Sequence, residues 1–346
     1  MIQGHTFRAL LSPSVKNSPW FRVHEFIHGI TAPLFLFIAG FVFLIATKRR
    51  WADYIRVGSP FGHRVWRYFS LVMIGYWLHL PYFSLYKTIT DRQALLSLYR
   101  VDILHCIGVS LFIIQILVII LKREKVVSLL ALIFGLGFLF LAPILWRIKI
   151  SGPPFLIAYL TPQYSSLFPL FPWAGYLFLG EATSALFLHF QRLGREGIFI
   201  RTALIIGIGL TTGGVFYNKW THIELIPNPV SLLTNLGMVL SVLGGFWFLE
   251  NSKFLKKIAF LGQESLMMYV GHLVVLFGSV LNKGIVYYYH SLSLPQTILI
   301  FLLLLSAMIG IAYPWHWLKT HRILWLKSLQ RAGVVLFLIL FLIKRY

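Results

Sequence analysis

Long apolar segments, separated by short polar stretches, follow one another along almost the whole chain. Each is close to the roughly 17–25 residues that an α-helix needs to cross a bilayer core. The predicted spans are residues 31–47, 66–85, 102–121, 126–146, 167–190, 199–217, 230–250, 264–281, 296–318 and 331–344. The pattern therefore predicts an all-α, polytopic transmembrane helix bundle of about ten full spans plus a truncated first helix.

The composition agrees with a membrane protein. Of the 346 residues, 58% are hydrophobic and 12% are charged, and the mean hydropathy is +0.79. A soluble domain of this length needs far more polar surface. Because nearly every residue belongs to a span or a short loop, we predict a single transmembrane domain over residues 1–346.

The net charge of +21 would suit a nucleic-acid partner, but the positions of the basic residues argue against one. Every second loop carries most of the Lys and Arg. Short basic loops stay cytoplasmic, so residues 48–67 are predicted to face the cytoplasm and residues 1–30 the other side. Anionic lipid or a phosphate-rich ligand is an additional use for this charge. The five basic loops contain Lys48, Arg49, Arg50, Arg56, Arg64 and Arg67; Lys122, Arg123 and Lys125; Arg192, Arg195 and Arg201; Lys253, Lys256 and Lys257; and Lys319, Arg322, Lys327 and Arg331.

The first residues, MIQGHTFRALL, lack the basic n-region of a signal peptide. The segment is too short to span a membrane, yet the loop pattern places it at the non-cytoplasmic face. We interpret it as the end of a first helix whose earlier half is missing from the sequence. An unstructured or interfacial N terminus is the alternative.

Polar residues at membrane depth are costly and usually face a cavity or a partner. The predicted topology gathers His5, His28, His79, Asp102 and His105 near the outer face. Asp102 and His105 are three residues apart, so they share one helix face. An imidazole can act as a general base, which a carboxylate can orient, or it can carry an acyl group. For any single histidine, a hydrogen-bonded packing residue is the alternative.

A metal site is not predicted, because no paired-His helical spacing supports one. The single cysteine, Cys106, excludes an intramolecular disulfide and a Cys-based zinc site. We interpret it as a buried, inert thiol, and a thiol that accepts an acyl group is the alternative.

Two later segments also stand out. In QESLMMYVGHLVVLFG, Tyr269 and His272 are three residues apart, and His272 needs a polar partner near the middle of the bilayer. In FPLFPWAGYLFLG, the two prolines fit a helix start, and Gly175 and Gly180 allow close contact between helices.

Four segments, in this order, resemble a family of membrane acyltransferases. MIQGHTF resembles the close of the first catalytic-domain helix, and HGITAPLFLFIAG resembles the second-helix signature of the heparan-alpha-glucosaminide N-acetyltransferase-like group, also called the DUF1624 group. FPLFPWAGYLFLG and LGQESLMMYVGHL resemble two later signatures, and the last is also similar to a helix of the acyltransferase-3 group. Each motif is weak alone, but the ordered set covers nearly the whole chain.

The resemblance implies acetyl-CoA as acyl donor on the cytoplasmic side and a sugar amine or hydroxyl as acceptor on the other. It also implies an essential histidine in the outer loop between the first two helices, where this sequence has His24 and His28, with His5 just before. The animal lysosomal enzyme has a longer stretch after its histidine, so the sequence does not decide between these residues. We expect His28 or His5 to deprotonate the acceptor or carry the acetyl group, and Asp102 or His105 to orient it.

The phosphates of acetyl-CoA are expected near Lys48, Arg49, Arg64 or Arg67. The expected partners are membrane lipid and a small sugar-type acceptor, without nucleic acid, and a homodimer is one option for the assembly. The expected location is a bacterial inner membrane. The alternatives are a proton-coupled transporter or flippase of a sugar or lipid, whose His and Asp residues form a proton relay, and a membrane scaffold without chemistry.

Overall fold

The computed structural model describes residues 1–221 and 225–345, and in these ranges the chain forms helices and no strand. One isolated bridge pairs Leu11 with Leu292. The predicted all-α class is confirmed. In chain order the helices are α1 (Ile2–Leu10), α2 (Pro13–Lys16), α3 (Pro19–Gly29), α4 (Thr31–Lys48), α5 (Trp51–Tyr54), α6 (Ser59–Leu78), α7 (Leu85–Thr90), α8 (Arg92–Ser97), α9 (Ile103–Leu121), α10 (Glu124–Arg147), α11 (Pro154–Leu160), α12 (Leu170–Arg192), α13 (Glu196–Trp220), α14 (Pro229–Phe248), α15 (Lys253–Gln263), α16 (Ser265–Phe277), α17 (Ile285–Tyr288), α18 (Leu294–His321) and α19 (Ile323–Ile343), with 3₁₀ turns at Pro81–Phe83 and Gln163–Ser165.

The internal contacts divide the chain into two compact units. Unit 1 comprises Met1–His28, Leu80–Leu95 and Leu249–Tyr346, and unit 2 comprises Gly29–His79 and Leu96–Phe248. The single domain expected over residues 1–346 stays a prediction.

The number of candidate spans is smaller than the ten predicted. In the described part of the chain, seven helical segments are long and apolar enough to cross a membrane, or eight if the α15–α16 pair, bent by 66°, counts as one span. Two predicted spans, α6 and α12, are helices of 20 and 23 residues outside this set. Both carry polar and aromatic residues, including Arg64, Arg67 and Glu181, which lower their hydropathy. The helix α6 also ends earlier than predicted, because Pro81 follows and disfavours helical geometry before it.

Unit 2 is built around α12, which packs against α4, α9, α10 and α13. Two glycines of α12 bring backbones together. A Cβ atom on Gly180 would lie 2.0 Å from the carbonyl oxygen of Phe37, and one on Gly175 would lie 2.8 Å from that of Gly135. The predicted role of Gly175 and Gly180 in close helix contact is thus confirmed.

The two ends of unit 2 differ in chemistry. At one end, Glu124 accepts hydrogen bonds from Lys48 Nζ (2.5 Å) and Arg192 Nη2 (3.3 Å), which joins three of the basic segments. The helix α9 has 19 residues, so it is about 28 Å long and carries Asp102 to the opposite end. This arrangement agrees with the predicted alternation of loops, while the membrane side of each end stays a prediction.

Unit 1 packs α1 against α16 and α18. Buried apolar side chains join these three helices, namely those of Ile2, Met268, Leu304, Met308 and Ala312. Glu264, at the bend between α15 and α16, accepts hydrogen bonds from His316 Nδ1 (2.9 Å) and Lys319 Nζ (3.0 Å) of α18. The start of α16 is therefore anchored to α18 by a buried carboxylate.

Candidate functional site

The histidines and acids singled out from the sequence form two clusters, one in each unit. The unit 1 histidine cluster consists of His5, His24, His28 and His272. The Asp102 triad of unit 2 consists of His79, Asp102 and His105. Every predicted catalytic residue belongs to one of the two.

His24 and His28 lie on a helix and not in the outer loop that was expected. They are four residues apart on α3, so their rings stack, with centroids 5.9 Å apart and planes inclined by 13°. This i, i+4 spacing of two histidines is visible in the sequence, so the expectation that the chain has no paired-His helical spacing was wrong. The prediction of a loop was wrong: α4 begins at Thr31 as predicted, but the residues before it form the separate helix α3, with Pro19 in its first turn.

His24 is the most enclosed member on α3, with 8% of its surface exposed. Its ring stacks with three aromatic rings, those of Phe7, Trp20 and Phe21. Nδ1 is 3.4 Å from Glu25 Oε1, but the geometry is not that of a hydrogen bond, and neither ring nitrogen has a hydrogen-bond partner among the described residues. Glu25 instead accepts two hydrogen bonds from Arg8 Nε, at 2.8 and 3.0 Å.

His28 lies over Gly4 of α1. A Cβ atom on Gly4 would come within 1.9 Å of His28 Cε1 and 2.2 Å of its Nε2, so the ring fills the space that a side chain would need. The next residue of α1, His5, meets the His28 ring edge to face at a centroid distance of 6.4 Å. The glycine therefore allows α3 to bring His28 against α1, a contact that no sequence pattern indicated.

His5 also faces α16. Its ring centroid is 5.2 Å from that of His272 and 6.3 Å from that of Tyr269. His272 is fully buried, and its Nδ1 donates to the carbonyl oxygen of Met268 at 2.7 Å. The expectation that His272 needs a polar partner is confirmed. Its position beside His5 was missed, because nothing in the sequence links two residues so far apart.

The unit 1 cluster can therefore offer nitrogen lone pairs from α1, α3 and α16. Such lone pairs take protons from hydroxyl or amine groups near neutral pH. The arrangement has the chemistry of a general base that is surrounded by further imidazoles.

In unit 2, Asp102 caps α9 and holds His105. Its Oδ1 accepts from the backbone N–H of Leu104 (2.9 Å) and from His105 Nδ1 (2.7 Å), and its Oδ2 is 3.5 Å from His79 Nε2. Burial acts to raise the pKa of Asp102, but the hydrogen bond from His105 and the charges of His105 and His79 outweigh it and hold the pKa below its usual range. The shared face of Asp102 and His105 is confirmed.

The His105 ring is fully buried, and its Nε2 has no hydrogen-bond partner in the part of the chain that the structure describes. Tyr76 packs edge-on at a centroid distance of 4.3 Å, and its Oη is 3.3 Å from that of Tyr159. Gly75 leaves room for the ring, since a Cβ atom there would lie 2.5 Å from His105 Cε1. His105 Nδ1 lies 2.7 Å from the Asp102 carboxylate and 3.2 Å from the Asp102 backbone nitrogen. Because an ionised carboxylate can only accept, the shorter contact places the proton on Nδ1, and Nε2 then presents a lone pair as a base.

The five residues predicted to lie near one membrane face thus belong to two separate groups of contacting side chains. His5 and His28 have their contacts within unit 1, whereas Asp102 contacts His79 and His105 within unit 2. The role expected for Asp102 or His105 in orienting an outer histidine stays a prediction. Within residues 1–221 and 225–345, no group of three or more His, Cys, Asp or Glu is arranged to hold a metal ion.

Arg64, one of four basic residues expected near the acetyl-CoA phosphates, is engaged within unit 2. Its guanidinium carbon lies 3.5 Å from the centre of the Tyr54 ring. Its Nη1 donates to Thr47 Oγ1 (2.8 Å) and to Gln115 Oε1 (3.1 Å). These contacts join α4, α5, α6 and α9, so Arg64 has a structural task at this end of the unit.

The other three basic residues differ in exposure. Lys48 is partly buried and paired with Glu124. Arg49 and Arg67 are exposed. Of the four, these two arginines have the surroundings that best suit an external phosphate group.

Comparison with known proteins gives a family match. Residues 1–226 of the 346 match the family model described as heparan-alpha-glucosaminide N-acetyltransferase, catalytic. No curated protein and no solved structure matches the chain. The matched range contains the histidines of α1 and α3 and the whole Asp102 triad, whereas α16 with His272 lies outside it.

Proposed function

We propose a specific reaction for this chain, which belongs to the heparan-alpha-glucosaminide N-acetyltransferase family. Membership implies a membrane acetyltransferase activity, and the apolar helices indicate an integral, multi-pass protein. The proposed acyl donor is acetyl-CoA, bound from the cytoplasmic side. The proposed acceptor is the amine or hydroxyl group of a sugar-type molecule at the opposite face, and the proposed location is a bacterial inner membrane.

The observation that carries this proposal is the imidazole cluster on α1 and α3, inside the matched range. Transfer of an acetyl group to a hydroxyl or amine requires a base. The imidazole takes the proton as the acceptor oxygen or nitrogen bonds to the acetyl carbonyl carbon. As the carbon–sulfur bond breaks, the imidazolium returns a proton to the leaving thiolate, so that atoms and charge balance.

Within this cluster we assign the base to His28, with His5 as the second candidate. Both rings are only partly buried. His24 is enclosed by aromatic rings and stacks on His28, which suits a residue that fixes the orientation of its neighbour. We therefore prefer His28 because its ring is partly exposed and is held in a fixed position against Gly4.

For unit 2 we propose that His105 contributes to recognition of the acceptor. Asp102 holds the Nδ1–H of His105, which leaves Nε2 to accept from an O–H or N–H group. A buried acceptor without a partner is unfavourable, so a donor supplied by a ligand would satisfy it.

For the donor we propose that Arg49 and Arg67 bind the phosphates of acetyl-CoA. Guanidinium groups pair with phosphate oxygens through two parallel hydrogen bonds. Arg64 and Lys48 already have protein partners, so their proposed role is to maintain the helix ends on which the exposed arginines lie.

The test is acetyl transfer by the purified full chain in lipid nanodiscs, with radiolabelled acetyl-CoA and a panel of amino and neutral sugars. His28→Ala should lower the rate by about 10²–10⁴-fold, the usual contribution of a general base, and should leave the protein folded. His321→Ala is the matched control. This exposed ring stacks on Trp317 and hydrogen-bonds to Thr320 and Trp317 of its own helix, so the substitution should leave the rate unchanged.

Two results would redirect this assignment. Loss of activity in His5→Ala with full activity in His28→Ala would move the base to α1. Full activity in both variants and in His24→Ala would exclude the histidine mechanism. Proton-coupled sugar uptake into vesicles, without acetyl transfer, would favour the transporter alternative.

A further inference from the structure

His272 belongs to the unit 1 histidine cluster but lies beyond residues 1–226, the range that matches the family. His272 has no part in the proton transfer proposed for His28. Yet the side chain is fully buried, and its Nε2 has no hydrogen-bond partner among the described residues. A buried acceptor of this kind is unfavourable unless some state of the protein gives it a donor.

The tautomer of His272 follows from its one hydrogen bond. Nδ1 is 2.7 Å from the carbonyl oxygen of Met268, one turn earlier on α16. A carbonyl oxygen can only accept, so Nδ1 carries the proton. In the neutral ring Nε2 then has a lone pair, and the backbone of α16 holds this tautomer in place.

His5, whose imidazole can donate a ring N–H, packs against the His272 ring. The two centroids are 5.2 Å apart, with the planes inclined by 45°. Because a ring nitrogen lies roughly 1 Å from its ring centre, rotation of the rings allows an N···N distance of about 3 Å, the length of a hydrogen bond. Such contacts are often longer in free enzymes and shorten when substrate binds.

We propose that His272 is a positioning residue for His5. Its Nε2 accepts the N–H of His5, which fixes the tautomer of His5 and leaves the other nitrogen of His5 as the acceptor on the side of His28. The effect on rate rests on the proposed acetyl transfer, but the pairing of the two rings does not.

A pH profile can report this pairing only if the other groups near His5 are known. They are His28 from α3, Tyr269 from α16, and Arg8 and the Met1 amino group from α1 itself. The ionisable side chains of α18 at the start of α16 are His316 and Lys319, which bond to Glu264. All of these remain in a His272 variant, so a difference from wild type isolates His272.

Two substitutions separate the lone pair from the volume. His272→Leu keeps an apolar side chain and removes the acceptor, and it should lower kcat by about 10²-fold with little change in KM. His272→Gln keeps an acceptor oxygen, and its rate should stay within about 10-fold of wild type. In a His5→Ala background, His272→Leu should cause no further loss, because it acts only through His5.

The slope of log kcat against pH at low pH distinguishes the proposed role from a purely structural one, which would not change that slope. If both rings must be neutral, His272→Gln lowers the limiting slope of log kcat by about one decade per pH unit. His321→Gln is the matched control and should keep the wild-type slope. Activity and slope equal to wild type in both His272 variants, or an additive loss in the His5→Ala background, would overturn the inference.

A second measurement needs no turnover. Carbethoxylation of His5 by diethyl pyrocarbonate, followed by mass spectrometry, should be several-fold slower in His272→Leu and close to wild type in His272→Gln. Equal rates in all three proteins would refute the pairing. Absence of acetyl transfer in wild type with slower modification in His272→Leu would refute the proposed function and retain the pairing.

Discussion

Replacing Gly4 by alanine tests whether the position of the His28 ring matters for the rate, while the histidine itself is kept. The new Cβ atom would lie 1.9 Å from His28 Cε1, whereas carbon atoms in contact are normally about 3.5–4.0 Å apart. The ring must therefore move by about 1.5–2 Å or α1 must shift away. Since a displacement of about 1 Å can cost 10²-fold in rate, we expect kcat to fall by about 10²-fold or more.

The effect on stability should be smaller than the effect on rate. Overpacking costs about 1–3 kcal/mol, but alanine is favoured over glycine in a helix by about 1 kcal/mol. The net loss in the free energy of unfolding should therefore be about 0–2 kcal/mol. Transfer of radiolabelled acetyl groups reports the rate, and thermal unfolding followed by circular dichroism reports the stability.

Two further variants make the reasoning refutable. Gly310→Ala lies within α18 of the same unit. Apart from the adjacent backbone of its own helix, no atom of the described residues lies within 4 Å of the new Cβ, so the variant should keep the rate and gain up to about 1 kcal/mol. Gly4→Ala combined with His28→Ala should recover stability but not activity, because the clash has gone along with the base. Wild-type rate and stability in Gly4→Ala alone would show that the His28 ring does not occupy this space.

Three other predictions concern topology, the donor site and the Asp102 triad. Cysteines introduced at Ser59 and Leu167, both exposed, should react with a membrane-impermeant maleimide from opposite sides of the membrane. Labelling of both from the same side would contradict the predicted topology. Arg67→Ala should weaken the binding of acetyl-CoA, measured by calorimetry, by about 1.5–3 kcal/mol, whereas Arg64→Ala should mainly lower thermal stability. If folded Arg67→Ala binds acetyl-CoA with unchanged affinity, Arg67 serves only to set the membrane topology. Asp102→Asn should lower the free energy of unfolding by about 1–3 kcal/mol at neutral pH. Because folding lowers the pKa of Asp102, this stabilisation is fully present above the ordinary pKa of about 3.9 and is lost as the pH falls from there through the lower pKa of the folded state. If the difference in unfolding free energy between wild type and Asp102→Asn does not narrow in acid, Asp102 does not stabilise the fold as a carboxylate.

Local patterns in the sequence were enough for the helical class and for pairs of residues within one helix. The length and apolarity of the segments predict membrane helices because a bilayer demands both. The i, i+3 spacing predicts that Asp102 and His105 meet at the start of α9, and the structure confirms it. The i, i+4 spacing of His24 and His28 was equally visible, but it was lost when the segment was assigned to a loop.

Contacts between helices were decided by the tertiary structure alone. Nothing local indicated that His28 rests on Gly4, that His5 meets His272, or that Arg64 lies on the Tyr54 ring. The physical reason lies in the membrane environment itself. Lipid tails are as apolar as leucine, so burying an apolar face does not select a neighbour. Neighbouring helices are instead selected by small residues, which allow close approach, and by polar groups, which hydrogen-bond to one another. Both depend on how residues far apart in the sequence fit together in three dimensions.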